Sequence, residues 1–113
     1  VAHVILALLK GSKKMETKAK TVTEVLKAAK WILENVGWCQ YRYSKANKNG
    51  KLTAFCVAGA IESVNADWDL IIKAETTLGK VVGEDYIPNW NDVKGRTLPQ
   101  VLKAFDKAIK VKR

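Results

Sequence analysis

Gly37-Trp38-Cys39-Gln40 and Phe55-Cys56-Val57-Ala58-Gly59-Ala60-Ile61 stand near the two ends of a stretch, Gly37 to Val64, on which the reading of this 113-residue chain turns. Both cysteines lie here, with one of the four tryptophans and the longest run of small residues. Small side chains let a neighbouring backbone come close, so this composition belongs at a tightly packed junction. Cys56, Gly59 and Ala60 fall at i, i+3 and i+4. That spacing puts them on one side of a helix that Thr53 is placed to cap and that carries Cys56 in its first turn. Trp38 to Ser44 alternates aromatic and polar residues, which reads as an extended segment or a short turn. Ala46 to Lys51 contains the Asn-Gly pair of a tight turn.

On the N-terminal side of this stretch, Thr21-Val22-Thr23-Glu24 matches a capping box. Val22, Val25, Leu26, Ala29, Ile32, Leu33 and Val36 then recur at three- and four-residue spacing, the stripe of an amphipathic helix, and Gly37 is positioned to stop it. Lys10 to Lys20 reads as a polar linker, and Val1 to Leu9 as a strand or a short buried helix. The only histidine, His3, reads as a packed side chain. If Met15 marks the start, residues 1–14 are an extension without functional weight.

On the C-terminal side, Asn65 or Asp67 caps a third expected helix with the stripe Trp68, Ile71, Ile72, Leu78 and Val82, interrupted by Gly79 and ended by Gly83. Glu84 to Gly95 is a connection. Thr97-Leu98-Pro99-Gln100 is a second capping box, opening a helix with the stripe Leu98, Val101, Leu102, Phe105, Ala108 and Ile109. Four stripes make the fold mainly α: a single helical domain over residues 21–113, preceded by an N-terminal extension, or strand plus linker, over residues 1–20.

With 48% hydrophobic residues the chain can build one core but is too short for two, and 27% charged residues with dispersed aromatics argue against wholesale disorder. The net charge of +9 is segregated: residues 1–61 hold eleven Lys/Arg against three acids, residues 62–92 two against seven, and residues 93–113 seven against one. Such a chain either binds a polyanion or pairs its own halves. The apolar run Val1 to Leu9 lacks the flanks of a secretory signal and falls far below the roughly 20 residues that span a bilayer. A cytoplasmic setting without a membrane partner is the expectation.

The chemistry-bearing residues name no reaction. Cys39 and Cys56, with sixteen residues between them, lack the paired spacing of a zinc site, so neither metal nor cofactor is expected. Cys56 near a helix start is the one candidate nucleophile, without a positioned base in reach, and reads better as a core residue. An intracellular setting disfavours a disulfide between the two. No Gly-rich phosphate loop is present. Trp38, Gln40, Trp90, Asn91, Asp92 and Arg96 are the candidate binding residues, in connections beside helix ends where recognition groups concentrate. The same residues also read as turn locks, with Arg96 paired to Asp92. Arg42, Lys45, Lys48 and Lys51, with Lys103, Lys107 and Lys110 on the last helix, are the candidates for weak, sequence-tolerant nucleic-acid binding.

The three ordered motifs, Gly37 to Gln40, Phe55 to Ile61 and Trp90-Asn91-Asp92 through Arg96-Thr97, resemble a family of short uncharacterised proteins encoded by bacteriophages and actinobacteria. The resemblance runs from about Thr21 to Ile109 and implies no activity. Together with the residues it gives three expectations in order: a small basic interaction or regulatory domain with a macromolecular partner, most simply a protein; a nucleic-acid binder; a cysteine-dependent enzyme.

Overall fold

The computed structural model describes residues 17–112. The expected strand or helix over Val1 to Leu9, His3, Met15 and the first part of the linker lie outside the described residues. Ahead of the first helix the Ala19 amide donates to the Asn65 carbonyl at 2.7 Å, beside a bridge between Ala19 and Ala66.

Helix α1 (Val22–Asn35) forms where its stripe predicts, with Val25, Leu26, Ala29, Ile32 and Leu33 fully buried. The capping box is displaced by one residue. Thr21 Oγ1 accepts from the Glu24 amide at 3.1 Å, but Glu24 reaches back to the Lys20 amide at 2.9 Å instead of the Thr21 amide. After the helix, Gly37 has a φ of +147°, and a Cβ there would collide with the Thr53 carbonyl oxygen. Only glycine lets the chain turn so close to that backbone.

The connection that follows forms a sheet that hydrophobic spacing does not announce. Strands β1 (Ser44–Ala46) and β2 (Leu52–Phe55) pair antiparallel, Ser44 opposite Phe55, around a turn in which Asn47 Oδ1 accepts from the Asn49 and Lys51 amides at 2.9 and 3.0 Å. The Asn-Gly turn is as expected. The other edge of β2 is taken by the preceding loop, since the Cys39 amide donates to the Phe55 carbonyl at 3.0 Å and the Phe55 amide to the Gly37 carbonyl at 2.9 Å. Thr53 therefore lies in a strand and caps nothing. Helix α2 (Val57–Glu62) starts four residues later with Cys56 as its cap, the thiol sulfur accepting from the Gly59 amide at 3.3 Å. Its small residues do what their spacing predicts: a Cβ on Gly59 would run into the Tyr43 carbonyl, and the Cys56 amide donates to that carbonyl at 2.9 Å.

Helix α3 (Trp68–Val82) follows Asp67 and ends at Gly83 in the left-handed conformation. Its buried face is Ile71, Ala74, Leu78 and Gly79, while Trp68 and Ile72, both expected in the stripe, are 61% and 44% exposed. Part of the expected connection is helical, α4 (Ile87–Asn91), with Pro88 in its first turn. Helix α5 (Leu98–Ile109) carries the complete capping box: Thr97 Oγ1 accepts from the Gln100 amide, and Gln100 Oε1 from the Thr97 amide at 3.0 Å. Helix α1 packs against α2, α3 and α5, and α2 against α4, so the loop around Trp38 and the C-terminal end of α4 at Asn91 meet beside the start of α2.

Candidate functional site

Asn91 is the one fully buried amide side chain among the described residues, and both its polar atoms are used twice. Its Oδ1 accepts from the Trp38 indole at 2.7 Å and from the Val57 amide, the first of α2, at 3.0 Å. Its Nδ2 donates to the Cys39 carbonyl at 3.1 Å and to Asp92 Oδ1 at 2.8 Å. A buried amide without such partners would be costly, whereas this one ties three segments together. Gln40 Nε2 closes the same knot from outside, donating to the carbonyls of Asn91 and Val93 at 3.0 Å each. Asp92 Oδ1 accepts in addition from the Tyr41 amide at 2.8 Å.

The six binding candidates are thus brought together. Trp38, Gln40, Asn91 and Asp92 are linked directly, and Trp90 and Arg96 adjoin them as a stacked pair. The Arg96 guanidinium carbon lies 4.2 Å from the Trp90 ring centroid, and its Nε donates to the Trp90 carbonyl at 3.0 Å. Arg96 therefore stacks on Trp90 where the sequence pointed to a pair with Asp92. Trp38 and Trp90 both pack partly buried against the core. Asn91 has no surface and no unused polar atom to offer a ligand; of the six, Asp92 lines a cleft beside the hairpin and Trp90 a separate one against α5.

That cleft, about 220 Å³, is bounded by Tyr41, Arg42, Tyr43, Cys56, Tyr86, Pro88 and Asp92. Tyr41 has a φ of +69°, an uncommon conformation for a bulky residue, held by the bond from its amide to Asp92. Backbone of this kind clusters at ligand clamps and persists because its surroundings over-determine it. Cys56 contributes to the wall, but burial pushes its thiol up to about 11, outweighing the helix amides that favour thiolate. A thiol that accepts a cap hydrogen bond and is neutral at pH 7 is a poor nucleophile. Cys39 is also free and buried; desolvation raises it too, and its thiol donates to the Arg42 carbonyl at 3.6 Å.

A second cleft, about 310 Å³, shares Tyr43 with the first and is otherwise lined by Ser44, Phe55, Gly59, Glu62, Ser63 and Trp68. Behind Glu62 stands Glu75 of α3, pushed up to about 7 by desolvation first and then by the Glu62 carboxylate to which it hydrogen-bonds. Glu75 therefore holds its proton close to neutrality beside the Glu62 carboxylate. Tyr43 is itself pushed up to about 12, by desolvation of its phenol, the Glu62 charge and the adjacent Tyr86 hydroxyl, although half of its surface is open.

Tyr41, Tyr43, Trp68 and Tyr86 are 69%, 51%, 61% and 57% exposed. Sequence spacing missed this group. Tyr41 and Tyr43 carried the signal of alternation, Trp68 was absorbed into a helical stripe, and nothing in the sequence relates Glu62 to Glu75. Of the nucleic-acid candidates, Arg42, Lys45, Lys48 and Lys51 are exposed on and beside the hairpin. Lys103 and Lys107 are exposed on α5 and Lys110 at its C-cap, and Lys103 and Lys107 border a separate cleft with Trp90. No group of three or more His, Cys, Asp or Glu suited to a metal occurs among the described residues, and none of their helices is long and apolar enough to cross a membrane.

Fold and site together define a small helical domain in which a short hairpin and a buried asparagine knot carry an aromatic face. The chain belongs to a family of unknown function, DUF6197, whose family model matches residues 17–111. No curated protein and no solved structure matches it.

Proposed function

We propose that this is a non-enzymatic interaction domain with a protein partner, and that its recognition surface is the aromatic face of Tyr41, Tyr43, Trp68 and Tyr86, with the expected residues Trp38, Gln40, Trp90, Asn91, Asp92 and Arg96 beside it and Asp92 alone among them lining it. The observation that carries this reading is the set of four exposed aromatic side chains around two clefts that meet at Tyr43. Contiguous exposed aromatics mark interaction sites, and tyrosine and tryptophan are common interface anchors. Asp92 belongs to both parts, bonding Asn91 inside and shaping the Tyr41 wall outside. The likeness of the motifs to phage and actinobacterial proteins makes the bacterial cytoplasm the place where a partner is sought.

The test is capture of partners from such a host by the full chain, with Tyr43→Ser and Trp68→Ser in parallel. Partners retained by the wild type and lost by both variants, at unchanged melting temperature, bear the reading out; equal retention by all three refutes it.

A second reading, weak nucleic-acid binding, has a specific observation of its own. Arg42, Lys45, Lys48 and Lys51 are exposed and in no ion pair among the described residues, whereas Lys18, Lys30 and Lys73 are paired with Asp67, Asp106 and Asp69. Binding of this type falls steeply with added salt and is indifferent to sequence.

A further inference from the structure

We propose that the cleft between Tyr43, α2 and the start of α3 takes the side chain of a lysine or arginine presented by the partner protein. The inference rests on the reading of the chain as an interaction domain and gives the partner its chemistry. At about 310 Å³ the cleft is at the small end of ligand pockets, which run from about 300 to 1,000 Å³. It therefore suits one long side chain. Its walls are the rings of Tyr43 and Trp68, its apolar part is Phe55 and Gly59, and the charged group lining it is Glu62. A long basic side chain matches each feature in turn: the methylene stem lies along apolar surface, the charged head faces aromatic rings, and the carboxylate balances its charge.

Charge complementarity selects a cation over other occupants. The cleft draws Glu62 and Trp68 from residues 62–92, the one acidic stretch of a basic chain, with two Lys/Arg against seven acids. Asp67 and Asp69, which flank Trp68, are engaged by Lys18 at 2.6 Å and Lys73 at 3.9 Å. The carboxyl facing Glu62 from α3 is Glu75; the phenol of Tyr43, hydrogen-bonded to Tyr86, also feels the Glu62 charge. No cation is paired with Glu62 or Glu75 among the described residues. The proton that Glu75 keeps toward neutrality reflects its desolvation and the Glu62 charge beside it, and a bound cation favours its release. Binding then releases a proton and tightens as pH rises through about 7. A polypeptide is favoured over a free amine because the cleft adjoins the Tyr41–Tyr86 cleft across Tyr43, so a chain anchored in one has a second side-chain site beside it.

The experiment is an amide NMR titration of the full chain with three probes: a blocked Ala-Ala-Lys-Ala-Ala peptide, the same peptide with norleucine for lysine, and n-butylammonium. The lysine peptide is expected to give saturable shifts at the Trp68 indole and the Tyr43, Glu62 and Ser63 amides. Norleucine should give none, and n-butylammonium about tenfold weaker binding. The affinity should rise several-fold between about pH 5.5 and about pH 8. Glu62→Gln should weaken it about tenfold with an otherwise native spectrum, and Glu75→Gln should remove its pH dependence. Shifts of the same residues by norleucine overturn the cation and leave the interaction-domain reading standing. Butylammonium binding as tightly as the peptide overturns the polypeptide source, and a lysine peptide that leaves Trp68 unmoved overturns the site. Lysine-peptide binding at Trp68 together with undiminished partner capture by Tyr43→Ser would fail the interaction-domain reading alone.

Discussion

The knot around Asn91 and the face around Tyr43 both draw on the same two connections and share Asp92, the face adding Glu62 of α2 and Trp68 of α3, yet they treat polar groups in opposite ways. In the knot every polar atom of a buried amide has a protein partner, so the groups stabilise and have nothing left to bind with. On the face, rings stay open to solvent, a tyrosine holds an uncommon backbone conformation, and two carboxyls crowd each other. The contrast teaches that clustered polar and aromatic residues are not by themselves a binding surface. What separates scaffold from surface is whether hydrogen-bonding capacity is already spent.

The largest expected effect lies in the knot. Asn91→Ala leaves the Trp38 indole, the Val57 amide and the Cys39 carbonyl without their partner, and should cost about 3 kcal/mol or more in urea unfolding, at no less than about 1 kcal/mol per stranded group. A cost below about 1 kcal/mol would break the contrast, because the knot would then not be what holds the loops. Gly59→Ala tests the junction beneath both regions. Its Cβ meets the Tyr43 backbone, and overpacking of this kind should cost about 1–3 kcal/mol or more while displacing the face itself.

The face contributes a smaller effect with a distinctive sign. Glu75 has its pKa raised in the folded protein from 4.5 to about 7, so the folded state binds more protons than the unfolded chain between those values. The stability it contributes is full below about pH 4.5 and is lost as pH rises to about 7, by up to about 2 kcal/mol after allowance for its partial exposure. Unfolding measured across that window should show the decline in the wild type and a flatter profile in Glu75→Gln. The smallest change is expected from Tyr41→Gly, which relieves the positive φ while adding freedom to the unfolded chain. The two oppose each other, and stability should stay within about 1 kcal/mol of wild type even as partner binding weakens.

How much of this the sequence discloses depends on the range of the interaction. Helices α1 and α5 are legible because their stripes and cap residues are local. The hairpin is not, because strands of three and four residues are too short to impose a period, and Thr53 mimics a helix cap while the actual cap is a thiol. The convergence of Gln40, Asn91 and Asp92 is legible in outline from their place in two connections at helix ends. Whether they face inward is decided by contacts across some fifty positions, Trp38 with Asn91 among them, which no local pattern carries. Trp68 fits its stripe by spacing and is nonetheless exposed, because a residue at the first helical position is governed by what lies beyond the helix end.

The most direct test of the account is the amount of native partner captured per folded molecule by Tyr43→Ser and by Gln40→Ala. Tyr43→Ser is expected to lose the partner at an unchanged melting temperature. Gln40→Ala, which gives up two hydrogen bonds to backbone carbonyls, should lose about 1–2 kcal/mol of stability while its folded fraction binds as the wild type does. Normal capture by Tyr43→Ser, with capture abolished in folded Gln40→Ala, would show that the knot is the surface and the face is not.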